Sequence, residues 1–244
     1  MNYGLYTAFL GMRARQRTLE VQANNIANAS TTGFKAERLN YAAIEADRKS
    51  GISTQNLVAG VSTASRFEFS EGTIQQTGRS LDVAIEGDAF IQIQTPRGTR
   101  YTRAGNLTLN NAGQLVNHQG DLVIGERGAI TVPNDKGEIS IGEDGSLAIG
   151  NQQFDGLKLV RFNNPAAALT KEGDTMFMLT GAEQPQQAVN SRVIQGSLES
   201  SNINSITEMV AMINNQREFE NLQKNVSLLM NDLGRKIAGE IGKL

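Results

Sequence analysis

Apolar side chains near the start of the chain recur at alternating intervals of four and three residues, and this pattern constrains the fold more than any other feature. Such intervals are those of a heptad, whose a and d positions form one face of an α-helix. The spacing predicts one helix over residues 3–27, about 37 Å long at 1.5 Å per residue. The predicted contact positions on its face are Leu5, Phe9, Met12, Gln16, Leu19, Ala23 and Ile26.

Two interpretations of this helix remain open. It is either an amphipathic helix that packs on its own chain, or a helix that packs against helices of other chains. Arg13 and Arg15 fall beside the predicted face, at the e and g positions where charges commonly select partners.

The other end of the chain carries a second helical pattern. A segment without proline or glycine covers residues 205–233, after the cap-like stretch SSNINS. Its apolar positions change register midway, which predicts a discontinuity of the kind found in coiled coils. The predicted contact residues of this helix are Met209, Ile213, Phe219, Leu222, Val226, Leu229 and Leu233.

Between the two helical patterns, glycine separates short β-rich runs. Residues 72–181 hold 16 of the 25 glycines, with runs such as FIQIQT and DLVIG between them. Strands this short, joined by turns of glycine, asparagine and aspartate, favour antiparallel hairpins. We therefore predict a central all-β domain over residues 72–199.

The predicted fold class is α+β, with a discontinuous domain at the chain ends. Residues 1–34 and 200–244 are predicted to form one terminal helical coiled-coil domain. Residues 35–71 are rich in serine, threonine, alanine and asparagine, which predicts an extended connector to the β domain. Because an isolated helix pair buries little surface for the order it requires, we expect these helices to pack with helices of other chains.

The first helix ends in the motif NNIANASTTGFKA. Asn24, Asn25 and Asn28 supply amide donors and acceptors at a helix end, and Gly33 permits a positive φ. Phe34 is expected to fix the turn by burial. The motif is either a helix stop alone, or a stop whose asparagines also bond to neighbouring subunits.

The composition excludes several kinds of chemistry. The chain has no cysteine, and its one histidine is His118, which excludes disulfides, thiol catalysis and sulfur-ligated metal sites. Glu86 and Asp88, like Glu143 and Asp144, stand beside glycine as in a calcium loop or a glycosidase pair, but a β-turn explains them more simply. We predict no catalytic, cofactor or metal site.

The charge and hydropathy patterns bound the partners. The formal net charge is −2 and no long basic run is present, so nucleic acid is not an expected partner. No apolar run approaches the roughly 20 residues of a membrane span, and no secretory signal pattern precedes the first apolar stretch. We expect a protein that is not integral to a membrane, has no small-molecule substrate, and is exported, if at all, by another route.

Three segments resemble motifs of one family. NNIANASTTGFKAER resembles the N-terminal motif of the bacterial flagellar rod and hook family, SLDVAIEGDAFIQIQTPRGTRYTRAGNLTLNNAGQLVNHQGDLVIG its central β domain, and SLESSNINSITEMVAMINNQREFE its C-terminal motif. Within that family the short length, VIGERGAITVP and the ending KIAGEIGKL are most similar to the proximal rod members of the F type. The resemblance covers nearly the whole chain.

This resemblance implies a structural axial component of the flagellar basal body and no enzyme. It implies that the terminal helices polymerise into part of the driveshaft that transmits torque to the hook. The implied partners are further copies of the chain, the other proximal and distal rod subunits, and the flagellar type III export apparatus. The implied location is the rod where it crosses the periplasm, reached without a cleaved signal peptide. In the motif of the first helix end, the asparagines would bond to neighbouring subunits.

Other interpretations stay open at this point. The chain could be a distal rod or hook-type paralogue of the same family. It could also be a secreted oligomeric module whose β domain binds or adheres, or a carboxylate-based hydrolase.

Overall fold

The computed structural model describes residues 3–45, 58–133, 137–173 and 175–241. Its backbone divides into two compact units. The helical unit comprises Met1–Ile26, Glu37–Arg66 and Asn204–Leu244, and the β unit comprises Ala27–Ala36 and Phe67–Ile203.

The described helices comprise two long ones near the chain ends and one short one. They are α1 (Tyr3–Ala27), α2 (Pro165–Ala168) and α3 (Ser205–Ile241). The bounds of α1 are those that the heptad spacing predicts. The predicted end of the last helix at residue 233 is wrong, because α3 continues through Gly234, where the added cost of about 1 kcal/mol per glycine does not stop a helix that no proline follows.

Nineteen strands lie in the described part of the chain. Those of the helical unit are β1 (Glu37–Glu45) and β2 (Val58–Phe67), which form a two-stranded sheet. Those of the β unit are β3 (Ile74–Gln76), β4 (Val83–Glu86), β5 (Ala89–Thr95), β6 (Gly98–Thr102), β7 (Thr108–Leu109), β8 (Leu115–Val116), β9 (Leu122–Gly125), β10 (Gly128–Ala129), β11 (Ile139–Ile141), β12 (Ser146–Ile149), β13 (Gln152–Gly156), β14 (Leu159–Arg161), β15 (Leu169–Glu172), β16 (Met176–Leu179), β17 (Gln186–Gln187), β18 (Arg192–Gln195) and β19 (Ser197–Glu199).

One large sheet organises the β unit. Its main path runs β15-β16-β6-β5-β9-β8-β7, with β14 beside β5 and β17, and β10 beside β9. Smaller sheets pair β11-β12-β13, β18-β4 and β19-β3. The pairings of these strands are antiparallel, as the glycine-punctuated sequence predicts.

Strand β5 separates two apolar cores, because successive side chains of a strand point to opposite faces. Ile91 and Ile93 enter a cluster of aliphatic residues from β4, β8, β9, β12 and β14. Phe90 enters a second cluster with Tyr101, Phe162 and Phe177, where rings meet edge to face at centroid distances of 5.1–6.3 Å. The α+β prediction with terminal helices is confirmed, and the coiled coil stays a prediction.

Candidate assembly surface

The helices α1 and α3 pair within the helical unit and run antiparallel. Arg15 Nη2 lies 2.6 Å from Glu218 Oε2, and its Nη1 donates to Asn215 Oδ1 at 2.8 Å. Asn215 Nδ2 donates in turn to Gln22 Oε1 at 3.0 Å. Earlier residues of α1 contact later residues of α3, which makes the two helices antiparallel. The sequence leads us to expect helices of other chains beside α1, but α3 of the same chain supplies part of that contact.

Asn25 is the buried centre of this unit. Its Nδ2 donates to Glu37 O at 2.9 Å and to Glu208 Oε1 at 3.2 Å, while its Oδ1 accepts from Glu37 N at 3.0 Å. Arg38 Nη1 donates to both carboxylate oxygens of Glu208 at 3.0 Å. One amide therefore connects α1, β1 and α3 by bonds that are each worth about 1 kcal/mol.

The side of α3 that faces α1 begins with polar residues. Glu208, Asn215, Phe219, Leu222 and Val226 follow one another at heptad-type spacing, and the last three are half-buried. The predicted change of register arises because the apolar residues at the start of α3 and those further along it lie on two different sides of the helix. The apolar residues at its start face away from the side that holds Glu208, since they lie one to two residues out of phase with it.

Those outward residues form the outer stripe of α3, which we define as Ile206, Met209, Val210 and Ile213. Their exposed fractions are 70%, 43%, 55% and 53%. A second exposed apolar group, at Leu228, Leu229 and Met230, lies further along the helix.

The predicted contact face of α1 is also largely uncovered. Phe9 is 59% exposed, Gln16 and Ala23 are exposed, and Met12, Leu19 and Ile26 are half-buried. A groove of about 310 Å³ brings Phe9, Met12 and Gln16 together with Phe219 of α3. Leu5 and Leu233 belong to the helices, but their side chains lie outside the described part of the structure.

The motif after α1 enters the β unit. Thr31 Oγ1 donates to Asn28 Oδ1 at 3.1 Å, and Asn24 is exposed. Gly33 has φ of +67°, and a Cβ there would collide with the backbone nitrogen of Ala104. Phe34 is fully buried, as predicted. Gly33 and Phe34 thus shape their own chain.

The buried polar residues of the helical unit carry little signal in the sequence. Among its described residues, those classed as buried are Val21, Gln22, Asn25 and Glu208. Of the polar three, only Asn25 stands out in the sequence, because it belongs to the asparagine-rich motif. Gln22 and Glu208 carry no apolar signal, so a search for hydrophobic periodicity passes over them.

The carboxylates beside glycine behave as turn residues. Hydrogen bonds from the Ser146 side chain and backbone N–H hold the pKa of the Asp144 carboxyl below its usual value. His118 is exposed in a turn. Among the described residues, no cluster of three or more His, Cys, Asp or Glu side chains could hold a metal ion.

No helix in the described ranges combines the length and apolar content needed to cross a bilayer.

Three family models match in the order of the chain. A model described as flagella basal body rod protein matches residues 5–35, one for the D1 domain of the flagellar hook protein FlgE/F/G matches residues 84–149, and one for the flagellar basal body rod FlgEFG protein C-terminal matches residues 194–227. The first covers most of α1, and the third covers residues 205–227 of α3.

Known proteins resemble the chain over nearly its full length. The flagellar basal-body rod protein FlgF of Caulobacter vibrioides is 32% identical over 246 residues, which cover 100% of both chains. FlgF of Salmonella typhimurium is 34% identical, with 96% of this chain and 97% of the relative covered. FlgG of Bacillus subtilis is 34% identical, with 91% and 93% covered. The chain therefore belongs to the family of flagellar basal-body rod proteins, and within it to the F type.

Proposed function

We propose that this rod protein joins its neighbours in the shaft through the apolar faces of α1 and α3. Its family membership makes the chain a structural component of the flagellar basal body. The observation that carries the proposal is the outer stripe of α3, whose four apolar side chains are exposed side by side. Contiguous exposed apolar residues are typical of surfaces that another protein covers.

The predicted contact positions of α1 supply the second surface of this proposal. Phe9 and its groove lie on the helical unit apart from the outer stripe of α3. When two different surfaces of one chain meet between copies, the contact is heterologous, and it generates an open helical polymer when the rotation between copies does not close into a ring. In this proposal the chain divides for assembly into a helical core (1–34 and 200–244), a connector (35–71) and a β domain (72–199), and these bounds differ from those of the two compact backbone units.

The roles of the buried motif residues follow from their positions. Asn25 would position the assembly surface, because it is buried among α1, β1 and α3 of the helical unit, and Gly33 and Phe34, which are buried in the β unit, would shape the chain that follows α1. Asn24 and Asn28 remain candidates for bonds between subunits. The polymer does no chemistry in this proposal, and its partners are copies of itself and other rod proteins.

The proposal includes the path to the rod. We expect export through the flagellar type III apparatus without cleavage of a signal peptide, and a shaft that crosses the periplasm and transmits torque to the hook. The sequence resemblance to the axial proteins supports this path. Sequencing the N-terminus of the protein in isolated basal bodies would test it, and a processed form that depends on the general secretory route would contradict it.

A charged variant of the outer stripe tests the assembly surface. Met209→Asp with Ile213→Asp should permit secretion at the normal level and abolish rod assembly, because a buried carboxylate at each subunit contact costs several kcal/mol. The measurement compares secreted protein, basal-body preparations and swimming in a strain that lacks the native gene.

The matched control is Thr207→Asp with Asn214→Asp, which adds the same two negative charges at exposed positions of α3 outside the stripe. This variant should assemble normally. Normal swimming of the Met209 and Ile213 double variant would show that the outer stripe is not a subunit contact.

A further inference from the structure

Three segments of the β unit meet where the chain enters and leaves that unit. They are residues 33–36, 68–73 and 199–202, close to the bounds Ala27–Ala36 and Phe67–Ile203 of the unit. We call this junction the clamp. All of its contacts lie inside the β unit.

Backbone hydrogen bonds connect each segment of the clamp to another. Gly33 N donates to Glu199 O at 2.8 Å, Glu68 N to Ala36 O at 2.9 Å, and Ser200 N to Thr73 O at 2.9 Å. The three segments therefore form one continuous set of bonds.

The Asn202 side chain contacts the other two segments at once. Its Oδ1 accepts from Ala36 N at 2.8 Å, and its Nδ2 donates to Glu68 O at 2.8 Å and to Ser70 Oγ at 3.1 Å. An amide is suited to this position because it offers donors and an acceptor on one planar group.

A buried ion pair lies within the same junction. Lys35 Nζ donates to Glu199 Oε1 at 2.7 Å and to Ser70 O at 2.6 Å, and Gly72 N donates to the same Glu199 oxygen at 2.9 Å. The side chains of Lys35 and Glu199 are each 1% exposed. Arg103 Nε lies 2.9 Å from Glu199 Oε2 and forms a second buried ion pair with this carboxylate.

This ion pair is better suited to fixing geometry than to adding stability. Burial lowers the pKa of Lys35, and the attraction of Glu199 offsets part of that effect. Well-packed apolar residues often stabilise a core at least as much as a buried ion pair does. Removal of one member of the pair, in contrast, leaves the other as an uncompensated buried charge. Hydrogen bonds are also directional, whereas apolar contacts are not.

The hydrogen bonds of the clamp lie in a parallel arrangement, so that one pulling force acts on several of them at the same time. Gly33 is bonded to Glu199, and Phe34 O accepts from Asn202 N at 3.5 Å, so residue numbers rise in the same direction along both segments. A force that pulls the start of one segment away from the end of the other therefore shears these bonds side by side. The same force would separate them one at a time in an antiparallel arrangement.

We infer that Asn202 and the Lys35–Glu199 pair are positioning residues that hold the entry and exit segments of the β unit together against mechanical load. The mechanical load is the torque of the proposed function, so the biological role inferred for the clamp rests on that function. The resistance of the clamp is a property of the single chain and is measured without assembly.

The test is forced unfolding of the full chain between two introduced cysteines, which the cysteine-free sequence makes specific. One pair, at Ser30 and Ile203, pulls across the clamp. A second pair, at the exposed residues Asn111 and Asn151, pulls on the β unit elsewhere. Asn202→Ala should raise the unfolding rate at a given force about tenfold across the clamp and less than about twofold in the second geometry.

Asn117→Ala is the matched control. The Asn117 side chain is buried, and it accepts from the backbone N–H groups of Gln119 and Asp121 within a turn of the β unit. It should lower the thermal stability as Asn202→Ala does and leave the rate across the clamp within about twofold.

The outcomes separate the inference from the proposed function. If Asn202→Ala accelerates unfolding equally in both geometries, or in neither, the clamp is not a mechanical device. If the alanine variant does not fold, Asn202→Asp, which keeps the acceptor for Ala36 N, takes its place with the same expectation. Normal rod assembly in the outer-stripe variants would overturn the proposed function and leave the forced-unfolding result unaffected.

Discussion

The two units of this protein place polar and apolar residues in opposite ways. The β unit buries aliphatic and aromatic residues on both faces of β5. The helical unit buries Gln22, Asn25 and Glu208 and exposes large apolar residues of α1 and α3. This difference indicates that the β unit buries its apolar side chains within one chain. The helical unit leaves large apolar side chains exposed, and contacts with other chains would be needed to cover them.

The largest effect should come from a charge in the interior of the β unit. Ile91→Asp or Val123→Asp should unfold that unit, with a loss of more than about 4 kcal/mol, because both side chains are fully buried among aliphatic residues. Circular dichroism and limited proteolysis of the purified chain measure the loss. Gln94→Asp, at an exposed position of the same strand, should stay folded, and a folded Ile91→Asp variant would break the comparison.

A smaller effect is expected at the buried centre of the helical unit. Asn25→Ala should lower the stability of that unit by about 1–3 kcal/mol, because it leaves Glu37 N and the Glu208 carboxylate with fewer partners. Hydrogen exchange of the amides of α1 and α3 measures this locally. Asn24→Ala, at the exposed neighbouring position, is the control. Equal loss of protection in the β unit would contradict the division into two units.

Acid should weaken the β unit through Glu172. A hydrogen bond from Arg100, helped by the charges of Arg100 and Arg97, lowers the pKa of this carboxyl from its ordinary value of 4.5. Its stabilising contribution is therefore fully present above that value and is lost as the pH falls through the lowered pKa. Urea unfolding of the parent and of Glu172→Gln at about pH 6 and about pH 3 checks this. The difference between the two proteins should shrink in acid, and a constant difference would count against it.

The smallest effect on the isolated chain should come from the outer stripe of α3. Ile213→Asp should change the free energy of unfolding by less than about 0.5 kcal/mol, because the side chain is 53% exposed in the single chain. Chemical denaturation measures this change. A loss as large as that of Asn25→Ala would mean that the stripe is already covered within its own chain.

The fold could be predicted from sequence wherever its periodicity is apolar. The bounds of α1 follow from the heptad, and β5 from the alternation in FIQIQT. Strand β6, in contrast, reads GTRYT and carries little apolar signal. It is a strand because its neighbours β5 and β16 supply hydrogen bonds on both sides, and that condition depends on residues distant in sequence.

The candidate site was predictable in its exposed part and hidden in its buried part. Phe9, Met209 and Ile213 stand out as apolar members of a helical repeat. The repeat alone does not show that Asn25, on the other side of α1, is the residue that becomes buried. That outcome depends on Glu37 and Glu208 arriving at the same place, and tertiary context decides it rather than the local pattern.

The clamp also bears on the order of events during folding. Lys35 and Glu199 are separated by 164 positions, so the junction cannot close until about four-fifths of the chain is available. Closing so large a loop costs conformational entropy before any contact compensates for it, which makes such contacts late and slow. A β unit whose completion waits for residues 199–202 would remain extensible while the chain is still emerging. Under the proposed export through the flagellar type III apparatus, this delay would keep the β unit open until the chain has passed through.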